Sequence, residues 1–422
     1  MRDFKYTPDE EVKMHDEGAI RLLLSNFQSH EDGLPEWLKN SADAYAREDV
    51  PEQKRVIVVV TNDGKRGRGP SISCLDFVGM TSRAIEENFR VWADPNAARR
   101  GSDSDAIQGG HGNGGKCYMV QMFEDYAQLY AVRGEKGNRY GVVGGSFRFG
   151  YIPDREAGRN FPVADVRDEL GHALKGIGCS LGMLAKVASD VVGDIQGFTL
   201  VTGVRPKGMG KSLRSSYVAD NLQEHTQMIR TLELCRVYLM SNGKLYSSGE
   251  PLQLPKIIPM PGGTEPRVVE VPQLLLDPKS EEMISTTDGG RLGMGRLTLK
   301  TSQVSMRWSK KGRHNISFRA KSGYIGYVSV LELDVESSYR DRIYGECELQ
   351  ALERFKQNDR SRLASSPLTR AVELFISEQI EKYAKEFESL DKKKYNQEEK
   401  NALSRMNEAL DEWKNRAWFK NG

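Results

Sequence analysis

Hydrophobic positions change their period several times along the chain, which predicts a mixture of helices and strands. Ile20, Leu23 and Phe27 share one face of a predicted helix, whereas the β-branched run 55–62 predicts a strand that turns at Asn-Asp-Gly into a partner strand. Further helices are predicted at residues 34–45, 115–127, 163–175, 181–192 and 222–236, and further strands at residues 71–76, 129–133, 140–151 and 197–204. Because hairpins and helices mix without strict strand–helix–strand alternation, the order predicts an α+β fold with helices layered on one face of a mixed sheet.

The second half of the chain has a separate pattern. Residues 251–295 are rich in proline and glycine and predict a junction between domains. Strands are predicted at residues 297–307, 315–319 and 324–333, and a long charged helix is predicted from Leu368 onward. We therefore expect a first α+β domain at residues 1–250, a junction at 251–295, a second α+β domain at 296–366 and a helical segment at 367–422.

An apolar stripe follows the predicted C-terminal helix. Its members are Val372, Phe375, Ile376, Ile380, Tyr383 and Phe387, then Leu403, Met406, Leu410 and Trp413. A helix that packs on its own domain is the simpler interpretation, and a helix that contacts a partner is the alternative.

Composition narrows the classes of protein. The chain has 422 residues, of which 38% are hydrophobic and 28% charged, as expected for a globular protein of about two domains. A net charge of +2 gives no overall argument for a nucleic-acid partner. The five cysteines are scattered, and neither a signal peptide nor an apolar run of membrane-spanning length is present, so we predict a cytoplasmic protein without a membrane partner.

The predicted helix 34–45 carries the first segment suited to phosphate chemistry. Glu36 and Asn40 are four residues apart and therefore share one helix face. The Asn40 carbonyl can ligate Mg²⁺, which prefers oxygen, and the Glu36 carboxylate can polarise a water molecule for attack on phosphorus. Taken alone, the same pair is also common on a solvated helix face.

The second segment, Asp76 to Met80, follows a predicted strand. A carboxylate held in an apolar pocket can accept a hydrogen bond from an exocyclic amino group such as that of adenine. An aspartate that ends a strand before a turn glycine, Gly79, is the simpler alternative.

The third segment has five glycines in residues 109–115, followed by Lys116 and a predicted helix. Glycines allow backbone N–H groups to approach an anion, and a helix N-terminus adds positive potential, so the segment predicts a phosphate site. The pattern G-x-x-x-x-G-K is also met, but Cys117 stands where a P-loop needs a hydroxyl, and no hydrophobic strand precedes it. A P-loop is therefore excluded.

The order and spacing of these segments resemble the GHKL superfamily of ATPases (gyrase, heat-shock chaperone, histidine kinase, MutL), with motifs closest to its MORC and MutL branches. Residues 36–44 look like the N-box E-L-x-x-N-S-x-D-A, and residues 112–116 look like the lid motif G-x-G-x-K. Residues 76–80 resemble the adenine loop D-x-G-x-G-M, with one residue fewer and the first glycine missing. Residues 197–199 are similar to the start of the strand motif G-T-x-V, and the resemblance covers about residues 22–204.

The resemblance implies an ATP-binding sandwich of a mixed sheet and helices, with a role for each motif residue. Glu36 would be the general base, Asn40 the Mg²⁺ ligand, and Asp76 the residue that binds the adenine amino group. The residues implied to contact ATP are Asn40, Asp43, Ala44, Asp76, Gly79, Met80, Gly112, Asn113, Gly114, Gly115, Lys116 and Thr199.

The region from residue 296 resembles, less specifically, the ribosomal-protein-like transducer that follows the ATPase fold and sends a lysine to the γ-phosphate. No acidic residue lies between Asp288 and Glu332, whereas many basic residues do. Such a cluster suits a phosphate sensor, a nucleic-acid contact or a solvated strand face. Lys310, Lys311 and Lys321 are the candidate sensors.

The resemblance implies a molecular clamp or switch that binds ATP and Mg²⁺. ATP would close the polar segment 80–110 over the site, two subunits would dimerise, and hydrolysis would reset the clamp; DNA or a protein would be the further partner. The alternative is a nucleotide-gated DNA- or protein-binding module with little or no turnover. A histidine kinase is disfavoured because no dimerising helix with a phospho-acceptor histidine precedes the site.

Overall fold

The computed structural model describes residues 16–24, 29–64, 69–92, 113–153, 158–208, 213–225, 227–253, 266–287, 295–302, 305–307, 314–320, 323–357 and 362–418. The protein is α+β, with a large mixed sheet, a five-stranded sheet and a two-stranded sheet. The helices are α1 (Asp16–Leu24), α2 (His30–Arg47), α3 (Ser82–Phe89), α4 (Gly114–Gln121), α5 (Val166–Gly176), α6 (Leu181–Val192), α7 (Ser215–Glu224), α8 (Met228–Leu234) and α9 (Pro367–Trp418).

The first sheet contains the strands from the N-terminal half of the chain. They are β1 (Val56–Asn62), β2 (Ser71–Asp76), β3 (Phe123–Arg133), β4 (Lys136–Val143), β5 (Gly150–Tyr151), β6 (Phe161–Pro162), β7 (Gly197–Pro206), β8 (Arg236–Ser241) and β9 (Lys244–Leu245). The spatial order is β5-β4-β3-β7-β2-β1-β8-β9, with β6 beside β4. Only the β1–β8 pair among these neighbours is parallel, so the predicted mixed sheet and the β1–β2 hairpin are confirmed.

Helices cover both faces of this sheet, so the prediction that they lie on one face was wrong. Residues of α2, α4, α7 and α8 pack with Ile57 and Val59 of β1. Residues of α5 and α6 pack with Val56, Val58 and Val60 on the other face. Every residue of β1 is consequently buried, which explains why Val56 to Val60 form a continuous apolar run without polar alternation.

Several element boundaries differ from the prediction. The helix predicted at 115–127 ends at Gln121, because the next residues alternate between buried and exposed positions and form the start of β3. The helix predicted at 222–236 is two helices, α7 and α8, and Arg236 already belongs to β8. The segment predicted as a loop at 80–110 contains α3, whose first turn is capped by Thr81 Oγ1 accepting from the Ala84 N–H at 3.2 Å.

The second half forms its own sheet and core. The five-stranded sheet has the order β10-β13-β16-β14-β15, and its strands are β10 (Arg267–Val271), β13 (Gly295–Thr301), β14 (Asn315–Ala320), β15 (Gly323–Ser329) and β16 (Ile343–Glu348). A separate pair comprises β11 (Leu274–Leu276) and β12 (Met283–Ser285). Strands β10 to β12 lie within the range 251–295 that the sequence predicts as a junction.

Helix α9 has two different halves. Its first part packs Val372, Ile376 and Ile380 into the core of the five-stranded sheet, as predicted. The second half of the stripe was predicted to pack on the same domain, which is wrong, because its members are 44% to 68% exposed. Those residues are Leu403, Met406, Leu410 and Trp413. Within the described residues, none of the helices is both long and apolar enough to span a bilayer.

Candidate functional site

Helices α2 and α4 approach so closely that a Cβ atom at any of three glycines would meet a side chain of the other helix. A Cβ atom at Gly114 would overlap the carboxylate of Glu36, and one at Gly115 would lie 2.6 Å from Asn40 Nδ2. Farther along α2, a Cβ atom at Gly33 would overlap the ring of Tyr118. The glycine segment and the Glu36–Asn40 face, which are separated by more than 70 residues in sequence, therefore meet at one place.

Aromatic packing fixes this contact. The Trp37 indole N–H donates to the Gly115 carbonyl at 3.2 Å, and the Trp37 ring stacks on Phe123 with centroids 5.6 Å apart. Phe123 is the first residue of β3 and is fully buried. These contacts of Trp37, the residue next to Glu36, fix the rotation of α2 and hence the direction in which Glu36 and Asn40 project.

The Glu36 carboxylate lies at the N-terminus of α4, where helical N–H groups create positive potential. It is 7% exposed and pairs with Lys39, with 2.5 Å between Oε2 and Nζ. Asn40 is exposed, and its amide faces the same turn of α4. The Asn113 side chain does not cap that turn. An oxygen-donating amide, a carboxylate and a helix N-terminus at one place fit a metal-bound polyphosphate.

A second part of the site lies where β2 and β7 run side by side. Asp76, at the end of β2, is directly opposite Thr199 of β7 and is buried. Its Oδ2 accepts from the Ser41 hydroxyl at 2.8 Å, and its Oδ1 accepts from the Val78 N–H at 3.1 Å. Burial raises the pKa of Asp76 to about 6, and the hydrogen bonds from Ser41, Val78 and Thr199 oppose that rise.

The backbone after Asp76 turns sharply at Gly79. This residue has φ +81°, and a Cβ atom there would overlap the Val132 carbonyl, so the position requires glycine. Met80 then packs beside the small cluster of Ile85, Leu129 and Tyr140. The segment that follows Asp76 is therefore a tight turn.

The Tyr45 hydroxyl joins α2 to this turn. It donates to the Val56 carbonyl at 2.5 Å and accepts from the Phe77 N–H at 2.9 Å. Burial raises the pKa of Tyr45 well above its usual value, so it remains a neutral donor. A change in the position of α2 would therefore be transmitted directly to the end of β2.

Lys116 follows Gly114 and Gly115, the glycine turn at the start of α4, but its side chain bonds to backbone carbonyls at the end of α3. Its side chain is buried, and Nζ donates to the carbonyls of Asn88 at 3.0 Å and Val91 at 2.5 Å. The ammonium also lies 5.1 Å from the centroid of Trp92. Lys116 thus stabilises the C-terminal end of α3, where helix carbonyls attract a cation.

The remaining predicted contact residues lie farther along α2 or outside the described chain. Asp43 is 1% exposed, and its charge acts on the buried thiol of Cys235, so it faces the interior. Ala44 is half-buried on α2. Gly112 lies outside the described residues, as do Lys310, Lys311 and Lys321, the candidate sensors.

The basic cluster of the second sheet is partly neutralised by a neighbouring strand. Arg296 pairs with Glu348 at 2.8 Å, and Arg319 pairs with Glu346 at 3.2 Å. Both glutamates lie on β16, which is flanked by β13 and β14. Residues 289–331 contain no acidic residue in sequence. In the folded sheet, however, their arginines lie beside glutamates of β16, which comes later in the chain.

Sequence reasoning missed four residues that hold the site together: Trp37, Lys39, Ser41 and Tyr45. Ser41 stands inside the quoted N-box motif, directly after Asn40, so its position was a usable signal. Lys39 pairs with Glu36 three residues earlier, a spacing that the sequence also shows. Trp37 and Tyr45 have partners distant in sequence, Gly115 and Phe77, which nothing local indicates.

No protein-family model matches the chain, and no curated protein matches it with significance.

Proposed function

We propose that the protein is an ATP-binding, Mg²⁺-dependent ATPase of the GHKL kind that works as a nucleotide-driven clamp or switch. The observation that carries the proposal is the position of α2 between two parts of the site. One face of α2 places Glu36 and Asn40 against the glycine turn of α4, while Ser41, the next residue, bonds to Asp76 at the end of β2.

Each part suits one portion of the nucleotide. Asp76 would accept a hydrogen bond from the adenine amino group, and with a pKa of about 6 it is mostly ionised at neutral pH and can accept. The first turn of α4 would hold phosphate oxygens, which need the close backbone approach that Gly114 and Gly115 permit. Asn40 would supply a ligand for Mg²⁺, which stabilises charge on the phosphates, and Glu36 would orient and deprotonate the attacking water.

Two buried lysines, Lys116 and Lys39, would act as the switch. In the present arrangement Lys116 holds the end of α3, and Lys39 neutralises Glu36. Phosphates at the α4 turn would compete with the α3 carbonyls for Lys116, because a charge-assisted bond is stronger than a bond to a neutral carbonyl. ATP binding would thereby release α3, and dimerisation of two subunits would follow from that change.

The test is calorimetric titration with a non-hydrolysable ATP analogue and Mg²⁺, together with turnover measurements on Glu36→Gln. We expect saturable binding in both proteins and a loss of turnover of about 10²- to 10⁴-fold in the variant, since the general base is gone. Glu48→Gln, an exposed carboxylate just after α2, is the matched control and should keep turnover. Absence of binding heat in the wild type would remove the proposal, and unchanged turnover in Glu36→Gln would remove Glu36 from its role.

The ion pair of Glu36 with Lys39 favours a second function, a nucleotide-gated DNA- or protein-binding module with little turnover. A carboxylate bonded to a buried ammonium has less capacity to take a proton from water. The variant Lys39→Met distinguishes the ATPase from the binding module. Faster turnover than in the wild type would mean that the ion pair restrains Glu36 as an active base. Nucleotide binding with negligible turnover in both the wild type and the variant would favour the binding module. Gel-shift assays with DNA at two salt concentrations, with and without ATP, then test its output.

A further inference from the structure

The distal part of α9 carries an apolar face, the α9 stripe, within residues 403–413. Its large side chains recur at intervals of three and four residues, so they lie on one side of the helix. Each of them is 44% to 68% exposed. They are Leu403, Met406, Leu410 and Trp413. An apolar face of this length on an otherwise polar helix is typical of a contact with another protein surface.

A second apolar face, the hairpin face, lies on the outer side of the β11–β12 hairpin. Leu276 pairs with Met283 in register, and Leu274 points to the same side as Leu276 because side chains alternate along a strand. These three side chains are 46% to 58% exposed. Leu275 and Ile284, on the opposite side, pack on the core of the five-stranded sheet. A hairpin that meets only solvent on its outer side would carry polar residues there, so the hairpin face also indicates a partner.

The hairpin face and the α9 stripe cannot meet within one chain. The Arg370 guanidinium, in the first turn of α9, donates to Asp277, the residue after Leu276, so the hairpin lies at the start of the helix. Helix α9 is continuous from there to the stripe. Because an α-helix rises by ~1.5 Å per residue, Leu403 lies roughly 50 Å beyond Arg370. A second molecule is therefore needed to bring the two faces together.

The two faces lie on the same side of α9. Met406 follows Arg370 by 36 residues. This spacing corresponds to ten full turns at about 3.6 residues per turn, so both side chains point in one direction. Arg370 points to the hairpin, and the α9 stripe consequently points to the side on which the hairpin lies. A second copy on that side, turned end for end about a twofold axis, sets the stripe of each chain against the hairpin of the other.

Pairing of two α9 stripes with each other is the less favourable arrangement. The stripe is shorter than two heptads, whereas a coiled coil needs about three or four. One heptad before Leu403 and Met406, the corresponding residues are Asn396 and Glu399. A helix pair that continued in that direction would place an amide and a carboxylate in its seam, which lowers its stability.

We propose that two copies of the chain form a twofold dimer without nucleotide, in which the α9 stripe of each copy packs on the hairpin face of the other. Each contact occurs twice in such an arrangement. Together the seven side chains of both copies expose roughly 1,500 Å² of accessible surface, which is the size of a stable protein interface. Neither face contains a residue of the candidate nucleotide site, so the dimer goes beyond the proposed ATPase and does not depend on it.

Sedimentation velocity of the full chain, without nucleotide or Mg²⁺, tests the dimer. We expect the wild type to be dimeric at about 10 to 100 μM. Leu276→Glu in the hairpin face and Met406→Glu in the α9 stripe should each weaken dimerisation at least about tenfold, because each buries an unpaired charge at the contact. Val143→Glu, the same change at a 67% exposed residue of the first sheet, is the matched control and should dimerise like the wild type. A monomeric wild type, or either test variant dimerising as tightly as Val143→Glu, would overturn the proposal.

Cross-linking tests which faces meet. Leu276→Cys and Met406→Cys are purified separately, mixed to allow subunit exchange and treated with a short bismaleimide; the five native cysteines are buried. The two new thiols meet only in the mixed dimer, so the mixture should cross-link at least about tenfold faster than either variant alone. A mixture of Val143→Cys and Met406→Cys is the control for random collision. Rapid cross-linking of Met406→Cys alone would show that two stripes pair instead, and background rates in every sample would refute the contact.

Discussion

Two buried aspartates, one in each half of the molecule, resolve the same electrostatic problem in opposite ways. Asp277, beside the two-stranded sheet, is fully buried and receives two hydrogen bonds from the Arg370 guanidinium at 2.7 and 2.9 Å. These bonds hold the pKa of Asp277 well below its usual range. Asp76 is almost as buried, but its hydrogen bonds come from hydroxyl and backbone N–H groups, and burial raises its pKa to about 6.

The difference separates a structural charge, that of Asp277, from the charge of Asp76, which the proposed function uses as a hydrogen-bond acceptor. The Asp277–Arg370 pair joins the turn after β11 to the first turn of α9, which anchors that helix on its domain. A carboxylate that is fully neutralised has no capacity left for a ligand. Asp76 keeps an uncompensated charge near neutral pH, which is costly for folding and is therefore typical of functional sites.

The largest effect is expected from Arg370→Met, which leaves Asp277 buried without its cation. Wild-type Asp277 has a lowered pKa, so the stability it contributes is present above the usual carboxyl pKa and is lost as the pH falls through the lowered value. The variant should unfold at much lower denaturant at pH 7, and its deficit should shrink on acidification, as the unpaired carboxylate takes up a proton. Urea titrations at pH 7 and at pH 3.5 measure both changes.

Arg267→Met is the matched control for this change. Arg267 pairs with Glu386, which also lies on α9, but the glutamate side chain is 61% exposed. We expect a loss of about 1 kcal/mol or less for such a surface pair. Asp277→Asn combined with Arg370→Met should recover part of the stability. An Arg370→Met variant no weaker than Arg267→Met would show that the buried pair is not the anchor of α9.

The next effect is the pH dependence that Asp76→Asn should remove. A raised pKa in the folded state means that the stability associated with Asp76 is fully present below pH 3.8 and is lost as the pH rises through about 6. The free energy of unfolding of Asp76→Asn relative to wild type should therefore increase by about 3 kcal/mol between pH 3.5 and pH 7.5. Denaturant unfolding of both proteins across this range provides the measurement.

Asp125→Asn controls for general charge effects, because Asp125 is a partly exposed carboxylate paired with Arg205. For a surface pair of this kind we expect a change of about 1 kcal/mol or less. Parallel curves for wild type and Asp76→Asn would mean that burial does not perturb Asp76, and the contrast with Asp277 would disappear.

The sequence predicted the candidate site more completely than it predicted the contacts of the buried charges. The meeting of the Glu36–Asn40 face with a glycine turn was expected through the resemblance, which each segment alone would not have supported. The partners of Asp277 and Lys116 were not visible, because both are chosen by tertiary packing. The anchoring arginine lies 93 residues beyond Asp277, and no spacing rule links the two.

The fold shows a similar division. Period-based reasoning found most helices and strands, but it merged α7 with α8, since their apolar residues continue at helical spacing across the break. It also placed helices on one face, although the uninterrupted apolar run Val56 to Val60 is the pattern of a strand covered on both faces. The apolar run thus indicated that helices cover both faces of the sheet, which the prediction did not take into account.

The substitution Lys116→Met tests a buried cation in the same way as the two buried aspartates. We expect it to have a smaller effect, on nucleotide affinity. If Lys116 leaves the α3 carbonyls for phosphate, the variant should bind the ATP analogue about ten- to a hundredfold more weakly and adenosine nearly as well as wild type. Lys207→Met is the control, because Lys207 also donates to a helix carbonyl, that of Gln121 at 2.7 Å. Equal losses for the analogue and adenosine would mean that Lys116 acts only by supporting α3.

The smallest effect is the pH dependence of adenosine binding, which tests Asp76 as an acceptor. Below pH 6 the Asp76 carboxyl is mostly protonated and presents a donor where the adenine amino group needs an acceptor. Adenosine affinity, followed by chemical-shift titration, should therefore fall about tenfold per pH unit below 6 and stay level above 7. Adenosine is the suitable probe because it has no phosphate group that titrates in the same range. The nearby Cys74 thiol does not interfere, since burial raises its pKa far above this range. A level profile from pH 5 to pH 8 would assign adenine recognition to another group and leave the raised pKa of Asp76 as a cost of burial alone.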